Sequence, residues 1–81
     1  MNYVLVVFAS ATTANRVKSV LQKKFGIKSV LIQTPKSLNV KGCSFCLKTE
    51  SANVDTIWKI VTDNGLSSKG AFREEDYFKI R

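Results

Sequence analysis

An α+β fold is predicted for this 81-residue chain, and three observations predict it. Two segments repeat the same pattern of apolar strand, amphipathic helix and second strand. Turn and cap residues punctuate them at Ser10, Gly26, Thr34-Pro35 and Asn64-Gly65. The length allows one small core and one domain over residues 1–81.

The first strand is read over residues 2–8. Tyr3, Val4, Val6, Val7 and Phe8 are strand formers, and their unbroken run implies burial on both faces. Ser10, Thr12 and Thr13 are candidate N-caps for the first helix. Ala14, Val17, Val20 and Leu21 then recur at helical spacing, with Arg16, Lys18 and Lys23 on the other side. Gly26 suits the position just past the helix end.

A second strand is expected from Lys28 to Gln33, closed by Thr34-Pro35, because proline cannot donate to a ladder. Residues 36–42 read as a loop or one helical turn. Ser44 to Thr49 is the third strand. Ser51 or Asn53 caps a second helix with Val54, Ile57, Trp58 and Val61 on its core face. Asn64-Gly65 ends that helix. A fourth strand is placed around Ala71 to Phe78, interrupted by the acids Glu74 to Asp76. The order βαββαβ points to a ferredoxin-like sandwich: an antiparallel four-stranded sheet, strands one and three central, two helices on one face. The opposite face is expected to be open and to serve for binding or dimerisation.

No run of about 18 apolar residues exists, so no membrane-spanning helix is expected. The apolar N-terminus lacks the basic start and the length of a secretory signal. Two cysteines do not make a disulfide scaffold. A soluble, cytoplasmic protein is expected. The net charge is +7 and is unevenly spread. The first acid is Glu50, and before it stand Arg16, Lys18, Lys23, Lys24, Lys28, Lys36, Lys41 and Lys48. Such a one-signed half is either a solvated surface or an attractor of anions: nucleic acid, an acidic protein or a small anionic substrate. Three scattered arginines and no glycine-rich anion loop give no support to acyl-phosphate chemistry.

Both cysteines lie in "KGCSFCLK", residues 41–48. A redox pair needs a turn that joins the sulfurs. Here the pair runs into a strand, where three residues span about 10 Å, whereas a disulfide needs Cα atoms within about 7 Å. A zinc site wants four ligands, and the chain has two Cys and no His. No metal and no cofactor is expected. A disulfide would need Cys43 in the turn before the strand, and a metal site a symmetric dimer; the favoured readings are one reactive thiol or two small space-fillers. With Phe45 and Leu47 toward the helices, Cys43 has their parity at the strand entrance. Cys46 and Lys48 then fall on the open face. Lys41 and Gly42 could support a Cys43 thiolate through a cation and backbone amides.

The chain resembles a known small family, the "Putative Se/S carrier protein-like" family, over nearly its whole length. The resemblance is carried by "VVFASATTA", with Phe8, Ala9 and Ser10 to Ala14. It continues in "GIKSVLIQTPKSL", with Thr34, Pro35 and Lys36, and in "CSFCLK", Cys43 to Lys48. The family's cysteine falls on Cys43, and Cys46 takes a small-residue position. Ser44 stands where glycine is usual, and Lys18 where an acid is common. The resemblance implies a carrier, not a turnover enzyme, that holds sulfur or selenium on Cys43. Donor and acceptor proteins would be its partners, with Lys36, Lys41, Lys48 and Cys46 around the adduct.

Two other classes stay open. "KGCSFCLK" half-matches the third-strand motif of RNA recognition modules, with Lys41, Gly42, Ser44 and Phe45 in place but Cys43 for the first aromatic. That reading needs Phe45 to face outward, with Tyr3 or Phe8 as a second platform. The third class is an interaction or regulatory module, a homodimer through the open face or an edge strand.

Overall fold

The computed structural model describes residues 2–38 and 45–80. The elements are β1 (Tyr3–Phe8), α1 (Ala11–Phe25), β2 (Val30–Gln33), a 3₁₀ turn (Lys36–Leu38), β3 (Phe45–Glu50), a second 3₁₀ turn (Ser51–Asn53), α2 (Val54–Asp63) and β4 (Gly70–Arg73). The sheet order is β2-β3-β1-β4 and every pairing is antiparallel. This is the ferredoxin-like βαββαβ sandwich, with β1 and β3 central as expected. No helix among the described residues is long and apolar enough to cross a membrane.

Burial explains the run of apolar residues in β1. Val4, Val6 and Phe8 point at the helices and join Ala14, Val17 and Leu21 of α1, Leu47 of β3, Ala71 of β4, and Val54, Ile57, Ile60 and Val61 of α2. Leu5 and Val7 point the other way and pack with Cys46, Ile32, Leu38, Phe72 and Tyr77. A central strand covered on both sides needs apolar residues at every position, which removes the usual alternation.

Local chemistry sets the helix ends. Ser10 is extended and its Oγ accepts from the Thr13 N–H at 3.2 Å, which selects it among the three candidate caps. Gly26 ends α1 with φ 65°, donating to Gln22 O. α2 starts differently. The 3₁₀ turn at Ser51–Asn53 leads into it without a side-chain cap. The Asn53 amide instead donates to the buried Thr49 hydroxyl, which itself donates to the Lys28 carbonyl. The end of α2 is a Schellman turn: Leu66 N–H donates to Val61 O at 2.9 Å and Gly65 N–H to Thr62 O at 3.2 Å. Leu66 then packs on the core.

Three expectations are corrected. β2 begins at Val30, not Lys28, because Ser29 and Lys28 lie before the paired register. β4 ends at Arg73, not Phe78. The acids form a turn there: Arg73 donates to both Asp76 carboxylate oxygens, at 3.2 and 2.7 Å, and the Phe78 N–H donates to Asp76 Oδ1. The chain then returns along β4, with Arg73 N–H to Phe78 O and Ile80 N–H to Ala71 O. The face away from the helices is not fully open, since Leu38 and Tyr77 cover its middle.

Gly26 and Gly65 both have φ 65°, and a Cβ at either would meet no atom within 4 Å. Backbone strain is therefore the whole cost of alanine there. Gly26→Ala and Gly65→Ala should each lose about 1 kcal/mol of unfolding free energy in urea titrations. Leu47→Ala, inside the helix-side core, should lose about 2–5 kcal/mol.

Candidate functional site

The cysteine strand is held by its register. β3 pairs with β1 from Phe45↔Phe8 to Glu50↔Tyr3, and with β2 from Phe45↔Gln33 to Lys48↔Val30. Cys46 therefore sits between Val7 and Ile32, on the face away from the helices. Phe45 and Leu47 take the helix side and pack on its core. This is the parity expected from the sequence. What differs is access: Cys46, expected among the exposed groups of that face, has no solvent exposure at all. Leu5, Val7, Ile32, Leu38, Phe72 and Tyr77 enclose it.

Among the described residues its hydrogen-bond partner is Thr34, whose Oγ1 lies 3.2 Å from Cys46 Sγ, with either atom able to donate. The Thr34-Pro35 corner and the cysteine strand are thereby joined in space. Burial pushes the Cys46 thiol above its ordinary pKa, and the Thr34 hydrogen bond offsets part of that rise. The thiolate is the nucleophilic form, so Cys46 is a poor attacking group at neutral pH.

Lys48 lies two residues on, on the same face. Its Nζ pairs with Glu74 and stands 5.0 Å above the Tyr3 ring. Tyr3 and Glu74 were not anticipated around Lys48. Only the β1–β3 register places Tyr3 beside it, and only the turn after β4 brings Glu74 back. Beyond Lys48 a cleft of about 520 Å³ opens between Tyr3, Lys28, Val30, Ile32 and Glu50. Lys36 is exposed on the 3₁₀ turn after Pro35. Cys43, Lys41, Gly42 and Ser44 lie outside the described residues.

The aromatic side chains needed for base stacking are placed otherwise. Phe8 is fully buried on the helix side and Phe45 faces the same core, so neither presents a ring to a strand of RNA. Tyr3 does lie on the outer face, beneath Lys48.

Fold and site together define a ferredoxin-like α+β domain whose cysteine-bearing central strand is tied to a Thr-Pro-Lys corner. The chain belongs to the family described as "Putative Se/S carrier protein-like", whose model matches residues 3–73. The match takes in the Thr34-Pro35 corner, both cysteines and β4, and ends where the returning segment begins. Comparison with curated proteins and with solved structures finds no match.

Because the folded state raises the Cys46 pKa, its neutral thiol adds stability that is complete below the ordinary cysteine pKa of about 8.5. That stability is lost as pH rises through the folded value. Urea unfolding at rising pH should show this loss, and Cys46→Ala should remove its part of the pH slope. Thr34→Val should cost about 0.5–1.5 kcal/mol at neutral pH.

Proposed function

We propose that the protein is a sulfur or selenium carrier with Cys43 as the acceptor thiol. The observation that carries the reading is the family match over residues 3–73, taken with the burial of the other cysteine. An acceptor thiol must be reached by a donor protein's persulfide and must ionise. Cys46 is enclosed and its pKa is raised, so the role falls to Cys43, two residues before β3. The resemblance read from the sequence also implies Cys43 as the family's cysteine.

The chemistry is thiol exchange. The Cys43 thiolate attacks the terminal sulfur of a donor persulfide. A new S–S bond forms on Cys43, the donor's S–S bond breaks, and the donor cysteine leaves as a thiolate. No net oxidant is required. Selenium follows the same path from a donor selenopersulfide and gives a selenosulfide. An acceptor nucleophile then takes the terminal atom and returns the Cys43 thiolate. The protein is consumed and regenerated stoichiometrically, as a carrier and not a turnover enzyme. Lys36, Lys41 and Lys48 supply positive potential for the anionic adduct and for an acidic partner surface. Cys46 contributes the packed strand beneath, hydrogen-bonded to Thr34.

Reduced protein incubated with a persulfide donor should gain about 32 Da on the Cys43 peptide, or about 79 Da with a selenium donor, reversibly by reductant. Cys43→Ser should abolish the gain and Cys46→Ala should keep it. An adduct on Cys46, or none with a donor that loads other thiols, would sink the reading.

A further inference from the structure

The two edges of the sheet are treated differently. Ser51 N–H donates to Asn2 O, which makes that pair a hydrogen-bonded one in the β1–β3 ladder. Alternation along an antiparallel ladder then assigns Phe45, Leu47 and Thr49 to β1, and Cys46 and Lys48 to β2. Their β2 partners are Ile32 and Val30. Leu31 and Gln33 therefore turn their N–H and C=O groups outward. At the other edge the equivalent residues are Ala71 and Arg73, and both are bonded to the returning segment at Ile80, Phe78 and Tyr77. Among the described residues no main-chain bond reaches the outer side of Leu31 or Gln33.

An unpaired edge is ordinarily blunted by short length, a charge, a proline or a bulge. β2 is short, with four residues, but its sequence VLIQ carries no charge, proline or bulge. Its Val30 is 56% exposed and borders the cleft between Tyr3 and Ile32. The charges stand at the two ends instead. Lys28 precedes β2 and Lys36 follows it; both are exposed, and neither forms an ion pair among the described residues. Glu50, opposite Lys28 by extension of the register, makes no ion pair with it.

We propose that the β2 edge is a docking site for an extended acidic segment of another protein, which adds as a fifth strand. Its main chain would pair with Leu31 and Gln33. Its acids would meet Lys28 and Lys36, and an apolar side chain would lie along Val30. A second copy of this chain fits poorly. Antiparallel pairing of two β2 edges about Ile32 sets Lys28 of one copy opposite Lys36 of the other, and each copy carries a net charge of +7. Like charges directly opposite are destabilising. The site is independent of which thiol carries sulfur, so its test does not depend on the carrier reading.

The probe is a blocked peptide with alternating Val and Thr in the centre and acids at both ends, compared with one of the same centre and basic ends. Titrated into isotope-labelled protein, the acidic peptide should slow amide exchange at Leu31 and Gln33 by roughly tenfold or more at saturation. Ala71 and Arg73 should not change. Lys28→Glu with Lys36→Glu should weaken binding about tenfold. Gln33→Pro removes an outward N–H that no main-chain group among the described residues accepts, and should abolish binding with the fold intact. If that variant unfolds, the exchange pattern of the unsubstituted protein decides. Equal binding of the basic peptide, or protection elsewhere, overturns the proposal. So does a dimer in sedimentation that Gln33→Pro dissolves, since the occupant would then be a second copy.

Discussion

The antiparallel pairing of β1 with β3 is the constraint on which the rest depends. Side chains alternate with a period of two, so register and face are one decision. With Phe8 opposite Phe45 and Val6 opposite Leu47, these four side chains share the helix-side core. Val7 opposite Cys46 and Leu5 opposite Lys48 share the other face. A slip of one residue would drive Lys48 toward Val17 and Ile57 and expel Leu47. The cost of burying that unpaired ammonium makes the register strongly specified.

The same register fixes the setting of Cys46. Cys46 is a packing residue with a partner hydroxyl, in a setting that favours the neutral thiol. Its small volume suits a site enclosed by Leu38, Tyr77 and two strands. The Thr34-Pro35 corner thus has two tasks. Proline ends β2 and starts the 3₁₀ turn that lays Leu38 over the sheet, and threonine meets the sulfur below. A motif that reads as punctuation in the chain acts as a fastening between β2 and β3.

The segment after β4 shows how a sheet can be finished asymmetrically. The Arg73–Asp76 pair closes a turn, Tyr77 adopts φ 57° and packs toward Cys46, and the main chain pairs back along Ala71 and Arg73. Asp76 is held below its ordinary pKa, first by the Arg73 hydrogen bond and then by the Phe78 N–H. The acids that interrupt the expected strand are what reverse the chain. One edge is sealed by the protein itself, and the other carries lysines at its ends.

Much of this was legible in the linear chain. The unbroken apolar run of β1 announced a strand covered on both sides. Ser10, Gly26 and Asn64-Gly65 marked helix ends through local hydrogen bonding and backbone freedom. The spacing of Val54, Ile57 and Val61 marked a buried helix face, because these are properties of neighbours a few residues apart. The parity of Phe45 and Leu47 followed from the period of a strand. What only the tertiary structure decided involves residues distant in sequence. Leu38 and Tyr77 close the face over Cys46, Tyr3 and Glu74 gather round Lys48, and Thr34 meets the sulfur. Which edge is sealed is likewise a matter of where the chain returns. A strand's period says which way a side chain points, but burial depends on what the rest of the chain lays over it.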